Sequence, residues 1–163
     1  MYDATVVFCD LYISKFSRTV DQMVQAARSG KQNIAEGSMA SATSKKTELK
    51  LINVAKSSLE ELLEDYEDYL RQNNLEIWEK THPEVIKIRK LAYIQNKSYL
   101  TYKDYFESKS PELFANCAAT IVHQAIYLMD RQLESLGKSF LENGGFTENL
   151  YKKRKDYRKN KPD

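Results

Sequence analysis

The chain has 163 residues, of which 42% are hydrophobic and 29% are charged, the balance of one folded domain with a core of its own. Its formal net charge is only +2, so the total charge identifies no partner and any electrostatic argument depends on where the charges lie. Five glycines and three prolines are too few for many strands joined by turns, which argues against an all-β domain and predicts long helices.

No transport or membrane signal is evident in the sequence. No basic segment followed by an apolar stretch opens it, and no apolar run approaches the roughly 20 residues needed to span a bilayer. Cys9 and Cys117 lie in separate apolar stripes without CxxC or Cys/His spacing. We interpret them as buried, reduced thiols, and the expected location is the cytoplasm.

The first two predicted helices cover residues 4–16 and 18–39. The first is about half as long as the later helices, so a bundle built on it leaves part of a groove uncovered unless another segment fills it. Ser17 or Thr19 is a suitable N-cap for the second helix.

Small residues mark the inner line of the second helix. Ala26, Ala27 and Gly30 would let a neighbouring helix approach closely, which offsets the cost of a glycine in a helix interior. Gly37 is expected to end this helix, because glycine readily adopts the left-handed backbone found after helix C-termini.

The third helix, over residues 44–72, has the clearest pattern in the sequence. Apolar residues recur in steps of 3 and 4 and predict a heptad seam, while the opposite side is acidic and is interpreted as a solvated face. The seam contains Ile52, Ala55, Leu59, Leu62, Tyr66 and Tyr69, and the acidic side contains Glu60, Glu61, Glu64, Asp65, Glu67 and Asp68.

A connector with a short helix at 84–95 and an irregular, tyrosine-rich stretch leads to the last long helix, at 111–136. Ser110, followed by proline and glutamate, is typical of a helix N-terminus, and Gly137 is the predicted stop. Residues 144–163 form a basic C-terminal tail. The pattern predicts an all-α protein: an up-down antiparallel four-helix bundle at 1–143, with an extra short helix in the connection before the last helix.

Catalytic or metal-binding groups are not predicted. His82 adjoins Pro83 and is a candidate helix cap, while His123 lies between two apolar stripes, so both are interpreted as structural. No nucleophile, phosphate-loop, dinucleotide or zinc-protease motif occurs, and the Glu-x-x-His pair of di-iron bundles is missing. We therefore expect no enzyme, no metal and no cofactor.

Basic residues form the candidate nucleic-acid contacts. Three lysines at the start of the third helix interact unfavourably with the helix dipole, which is a weak indication of an anionic partner. In the tail, tyrosines lie among lysines and arginines, a combination suited to phosphate contacts and base stacking. A solubilising tail explains the same residues equally well. The candidates are Arg18, Arg28, Lys31, Lys45, Lys46, Lys50, Lys152, Lys153, Arg154, Lys155 and Arg158.

Two segments carry a family resemblance. Residues 28–38, RSGKQNIAEGS, and residues 55–66, AKSSLEELLEDY, resemble the four-helix-bundle family of 23S ribosomal RNA intervening-sequence proteins. That family includes the accessory variability determinant proteins of diversity-generating retroelements, and residues 144–154 are similar to a C-terminal suffix of one subgroup. The motif positions are Asn33, Ile34, Ala35, Glu36 and Gly37, then Ala55, Ser58, Leu59, Glu61 and Leu62.

The resemblance implies a homo-oligomer, of five subunits in the retroelement proteins, that binds RNA or DNA and a reverse transcriptase. It gives the NIAEG motif no catalytic role. We interpret Asn33 and Glu36 as structural residues that hydrogen-bond across to Ser58 or Glu61 and fix the register of the two helices. A protein-interaction scaffold without nucleic-acid binding is the alternative, and an enzyme whose pocket lies between subunits is a third.

Overall fold

A computed structural model describes residues 1–144 and 146–159. These residues form α-helices and one short 3-10 helix, with no strand among them, so the all-α prediction is confirmed. The α-helices are α1 (Tyr2–Tyr12), α2 (Arg18–Ala40), α3 (Lys45–Gln72), α4 (Pro83–Leu91), α5 (Lys103–Phe106), α6 (Pro111–Asn143) and α7 (Phe146–Lys159), and the 3-10 helix is Tyr99–Tyr102.

Side-chain caps confirm the predicted starts of three helices. Ser44 accepts a hydrogen bond from the Thr47 backbone N–H at 3.2 Å at the start of α3, and Ser110 accepts one from Leu113 at 3.2 Å at the start of α6. His82 caps α4 through Nδ1, which accepts from the Glu84 N–H at 3.3 Å. These bonds satisfy backbone donors that a helix start leaves unpaired.

Two predicted helices end earlier than expected. The first ends at Tyr12 rather than at residue 16, because Ile13 is extended (φ −107°, ψ 138°) and Ser17 caps α2 by accepting from the Thr19 N–H. The connector helix ends at Leu91 rather than at residue 95. The stretch predicted to be irregular after it contains the 3-10 helix and α5.

Both glycines predicted to end helices lie inside them instead. Gly37 is a buried residue of α2, which continues to Ala40. A Cβ at Gly37 would lie 3.1 Å from Ile52 Cδ1, so this glycine lets α2 pack closely on α3. Gly137 lies within α6, which continues to Asn143 and ends at Gly144 with φ +66° and ψ 180°.

Replacing Gly137 with alanine is therefore expected to raise the free energy of unfolding by about 0.5–1 kcal/mol, since alanine is the better helix former. A Cβ at this position would meet nothing within 4 Å. Urea denaturation of Gly137→Ala measures the change. Gly144→Ala is the matched control and should be destabilising by about 1–3 kcal/mol, because its backbone region is essentially reserved for glycine. Loss of stability in Gly137→Ala would contradict a continuous α6.

The core lies where α1, α2, α3 and α6 meet. Gly30 of α2 faces Leu59 of α3, and Gly37 faces Ile52, so the two helices run antiparallel. The predicted seam of α3 is confirmed as core, except that Tyr69 is half-buried. Phe8 of α1 is fully buried against aromatic rings from α3 and α6.

The connector between α3 and α6 is fastened to α6 by one buried amide. The Asn116 side chain accepts from the Trp78 N–H and donates to the Glu76 carbonyl, both at 2.8 Å. Farther along, Phe106 of α5 lies 4.7 Å from the Phe114 ring, centroid to centroid. The connector thus covers part of the surface that the short α1 leaves open.

Candidate nucleic-acid interface

The C-terminal tail predicted from sequence is largely helical. Helix α7 contains six basic and two acidic side chains, and every residue from Glu148 to Lys159 is exposed. Because the whole chain is only +2, this one helix accounts for the positive balance and the remainder is slightly acidic. Residues 145 and 160–163 of the predicted tail lie outside the described part.

The spacing of residues on α7 places a tyrosine among the cations. Arg154, Lys155 and Arg158 come 3, 4 and 7 residues after Tyr151, so the four side chains share a face of the helix. Lys152 and Lys153 follow Tyr151 directly and, at about 100° per residue, point away from this face. Tyr151 is 68% exposed, so its ring is available for base stacking beside groups that bind phosphate.

The other six predicted contacts lie on α2 and at the start of α3. Arg18, Arg28 and Lys31 of α2 are exposed, and Lys31 Nζ lies 5.4 Å from the centroid of the Tyr2 ring. Lys46 and Lys50 of α3 are exposed too.

Lys45 already has a structural role. It is half-buried, and its Nζ donates to the hydroxyl of Ser139, which fastens the start of α3 to the last turns of α6. The eleven predicted contacts therefore lie on three elements, and α7 concentrates five of them on one exposed helix.

An acidic groove of about 500 Å³ lies between α2 and α3. The described residues that line it include no lysine or arginine, in contrast to α7. Among the described residues, neither Glu61 nor Glu64 has a cation within 4 Å. The groove is lined by Gln22, Gln25, Ala26, Ser29, Ser58, Glu61, Glu64, Asp65 and Asp68.

Burial and the neighbouring acids both favour the protonated form of Asp65, the half-buried acid of the groove. Burial raises its pKa to about 6, and the neighbouring carboxylates of Asp68, Glu61 and Glu64 act in the same direction. Arg71 of the same helix pairs with Asp68, whereas none of the ion pairs among the described residues involves Glu61, Glu64 or Asp65, so the groove concentrates unpaired negative charge at these three acids.

The polar contact between α2 and α3 differs from the prediction. Ser29 Oγ and Ser58 Oγ are 2.8 Å apart, and Asn33 Nδ2 donates to Ser29 Oγ at 3.2 Å, so Asn33 reaches Ser58 only through Ser29. Glu36 instead accepts from Gln32 Nε2 at 3.0 Å within its own helix. Glu61 is exposed at the groove.

Sequence reasoning missed Ser29 and the glutamines of the groove. Ser29 comes four residues before Asn33, a helical interval, and it directly precedes the small Gly30. This spacing indicates that Ser29 and Asn33 lie on the same side of α2. Pairing Ser29 with Ser58 also requires knowing which residues of α3 lie opposite it.

The possible reactive groups offer little chemistry. Burial raises the pKa of the Cys9 thiol to about 11, and it raises that of Cys117 as well, so both stay protonated at neutral pH. His123 Nε2 lies 3.5 Å from Glu67 Oε1 at an exposed site on α6. The described residues contain no group of three or more histidine, cysteine or acidic side chains arranged to hold a metal ion.

No described helix combines the length and apolar character needed to cross a membrane. Comparison with known proteins gives no relative: no family model, curated protein or solved structure matches the chain.

Proposed function

We propose that this chain is an up-down antiparallel four-helix bundle, formed by α1, α2, α3 and α6, with α7 as its basic appendage. The observation that supports it is the arrangement of contacts: α3 packs on α2 and α6, and α1 packs on the same two helices from the other side. Lys56 Nζ lies 2.6 Å from Asp130 Oδ1, and Lys45 contacts Ser139, so α3 and α6 also run antiparallel.

The proposed function is that of a non-enzymatic, homo-oligomeric scaffold associated with RNA or DNA. The exposed basic face of α7, with Tyr151 among its cations, is the single observation on which the nucleic-acid part rests. The two resembling segments, residues 28–38 of α2 and 55–66 of α3, pack together through Gly30 against Leu59 and Ser29 against Ser58, and they support a place among the 23S ribosomal RNA intervening-sequence proteins. A cytoplasmic location, a pentamer and a reverse transcriptase partner belong to the same proposal.

Fluorescence anisotropy with labelled single-stranded RNA, single-stranded DNA and duplex DNA tests this function. Changing Lys152, Lys153, Arg154, Lys155 and Arg158 to glutamine together is expected to raise Kd about tenfold or more at about 0.1 M salt, because each phosphate contact releases counterions. The slope of log Kd against log salt concentration should become shallower in the same variant.

A matched control changes five exposed basic residues of the connector to glutamine: Lys80, Arg89, Lys90, Lys97 and Lys109. This variant has the same net charge, so it separates a specific role of α7 from total charge. Equal loss of affinity in both variants would contradict the assignment to α7.

Failure of the unaltered chain to bind any of the three nucleic acids at low salt would contradict the nucleic-acid part of the proposal.

The alternative of a protein-interaction scaffold is favoured by exposed apolar side chains on the connector and α6, such as Tyr93, Leu100 and Leu128. Under that alternative, affinity capture retains a protein partner after nuclease treatment.

A further inference from the structure

Helix α7 and the acidic groove have complementary charges within one chain. Groove residues Glu61 and Glu64 are exposed carboxylates with no cation within 4 Å among the described residues, and α7, exposed from Glu148 to Lys159, has an excess of four positive charges. Complementary charged surfaces steer association and suppress wrong partners.

The dimensions of the two surfaces also agree. On α3 the groove extends from Ser58 to Asp68, which is about 15 Å of helix at 1.5 Å per residue. The basic part of α7, residues 152–159, spans about 11 Å, which matches the acidic part of the groove on α3, from Glu61 to Asp68, also about 11 Å long.

Helix geometry argues against α7 reaching the groove of its own chain. Lys45 contacts Ser139, so α6 ends beside the start of α3, and α7 begins there after Gly144. Glu64 lies 19 residues farther along α3, about 28 Å away, whereas Arg158 lies only about 18 Å from the start of α7. Folding α7 back along α3 would leave its arginines about 10 Å short of the centre of the acidic groove.

We propose that α7 of one chain docks in the α2–α3 acidic groove of a second copy, so that each subunit both donates a basic helix and accepts one. This inference rests on the homo-oligomer part of the proposed function; nucleic acid and the groove would compete for the same cations of α7, so the docking is tested without nucleic acid. Such a contact is heterologous: the two surfaces that meet are different, and the assembly either closes into a ring or extends as a filament.

Two charge-reversal variants of the full chain test the docking. The groove variant carries Glu61→Lys and Glu64→Lys, and the helix variant carries Arg154→Glu and Arg158→Glu. All four positions are exposed, so circular dichroism should show both variants folded. Sedimentation velocity is expected to show that each variant alone self-associates about tenfold or more weakly than the original chain at about 0.1 M salt.

Mixing the two variants one to one is the decisive measurement. Acidic and basic surfaces then meet only between unlike variants, so association should return as alternating assemblies, which are open chains or rings with an even number of subunits even if the original chain forms a pentamer. Combining all four substitutions in one chain should restore it as well. A control with the same change in net charge as the helix variant, Lys80→Glu and Lys90→Glu in the connector, should leave association unchanged.

Three outcomes would overturn the inference. Restoration in the four-substitution chain but not in the mixture would place α7 in the groove of its own chain. Association of both single-surface variants at the original strength would leave the homo-oligomer standing and remove this contact. A chain that stays monomeric up to about 100 µM would remove both the contact and the homo-oligomer.

Discussion

Phe8→Ala is expected to lower the free energy of unfolding by about 3–5 kcal/mol, the usual cost of removing a fully buried phenylalanine ring. Phe8 has no exposed surface, and its ring centroid lies 5.0 Å from that of Tyr66, 4.9 Å from that of Tyr69 and 5.2 Å from that of Phe114. These rings come from α3 and α6, so the truncation leaves a cavity where three helices meet and removes edge-to-face contacts as well.

Urea denaturation followed by circular dichroism measures the loss. Phe16→Ala is the matched control, since the same atoms are removed from a side chain that is 98% exposed, and the change should stay within about 0.5 kcal/mol. A loss below about 1 kcal/mol in Phe8→Ala would contradict the placement of α1 against α3 and α6.

Much of the core could be predicted because helical periodicity reports burial directly. The spacing of Ile52, Leu59 and Tyr66 identifies the buried side of α3 without knowledge of its neighbours, and all three are core residues. Local chemistry also identified the caps Ser110 and His82, because each side chain bonds a backbone group within three residues.

Glycine was harder to interpret, because its two uses depend on the tertiary structure. A glycine near the end of an apolar pattern can stop the helix or make room for a neighbour. Gly37 makes room for Ile52, Gly137 does neither, and Gly144 provides the stop with its positive φ. Only the position of α3 against α2 distinguishes the first of these cases from a helix end.

The candidate site could be predicted in its parts but not in its arrangement. Charge counting found the basic residues of α7 and the acidic side of α3. Charge counting could not show that Lys45 donates a hydrogen bond to Ser139 of α6, or that Gln22 and Gln25 of α2 complete the acidic groove. Those facts depend on which helices are neighbours, and neighbours are set by packing across long sequence separations.

Gly30→Leu should destabilise the chain by about 1–3 kcal/mol through overpacking of α2 against α3. A Cβ at Gly30 would lie 2.7 Å from Leu59 Cδ2 and 3.7 Å from the Ala55 carbonyl oxygen. The end of the Leu59 side chain can move to admit a single methyl group, but the rest of a leucine would have to displace the α3 backbone. Leucine is otherwise the better helix former, so the net loss reports the clash itself.

Gly137→Leu is the control for helix propensity and should be neutral or slightly stabilising, because nothing lies within 4 Å of its Cβ position. Adding Leu59→Ala to Gly30→Leu should recover part of the loss, since the double change nearly conserves the volume at the contact. Leu59 is 4% exposed, so Leu59→Ala alone is destabilising and the recovery appears as a favourable coupling in the double-mutant cycle. Strictly additive effects would mean that these two positions do not touch, and that the close approach of α2 and α3 lies elsewhere along the pair.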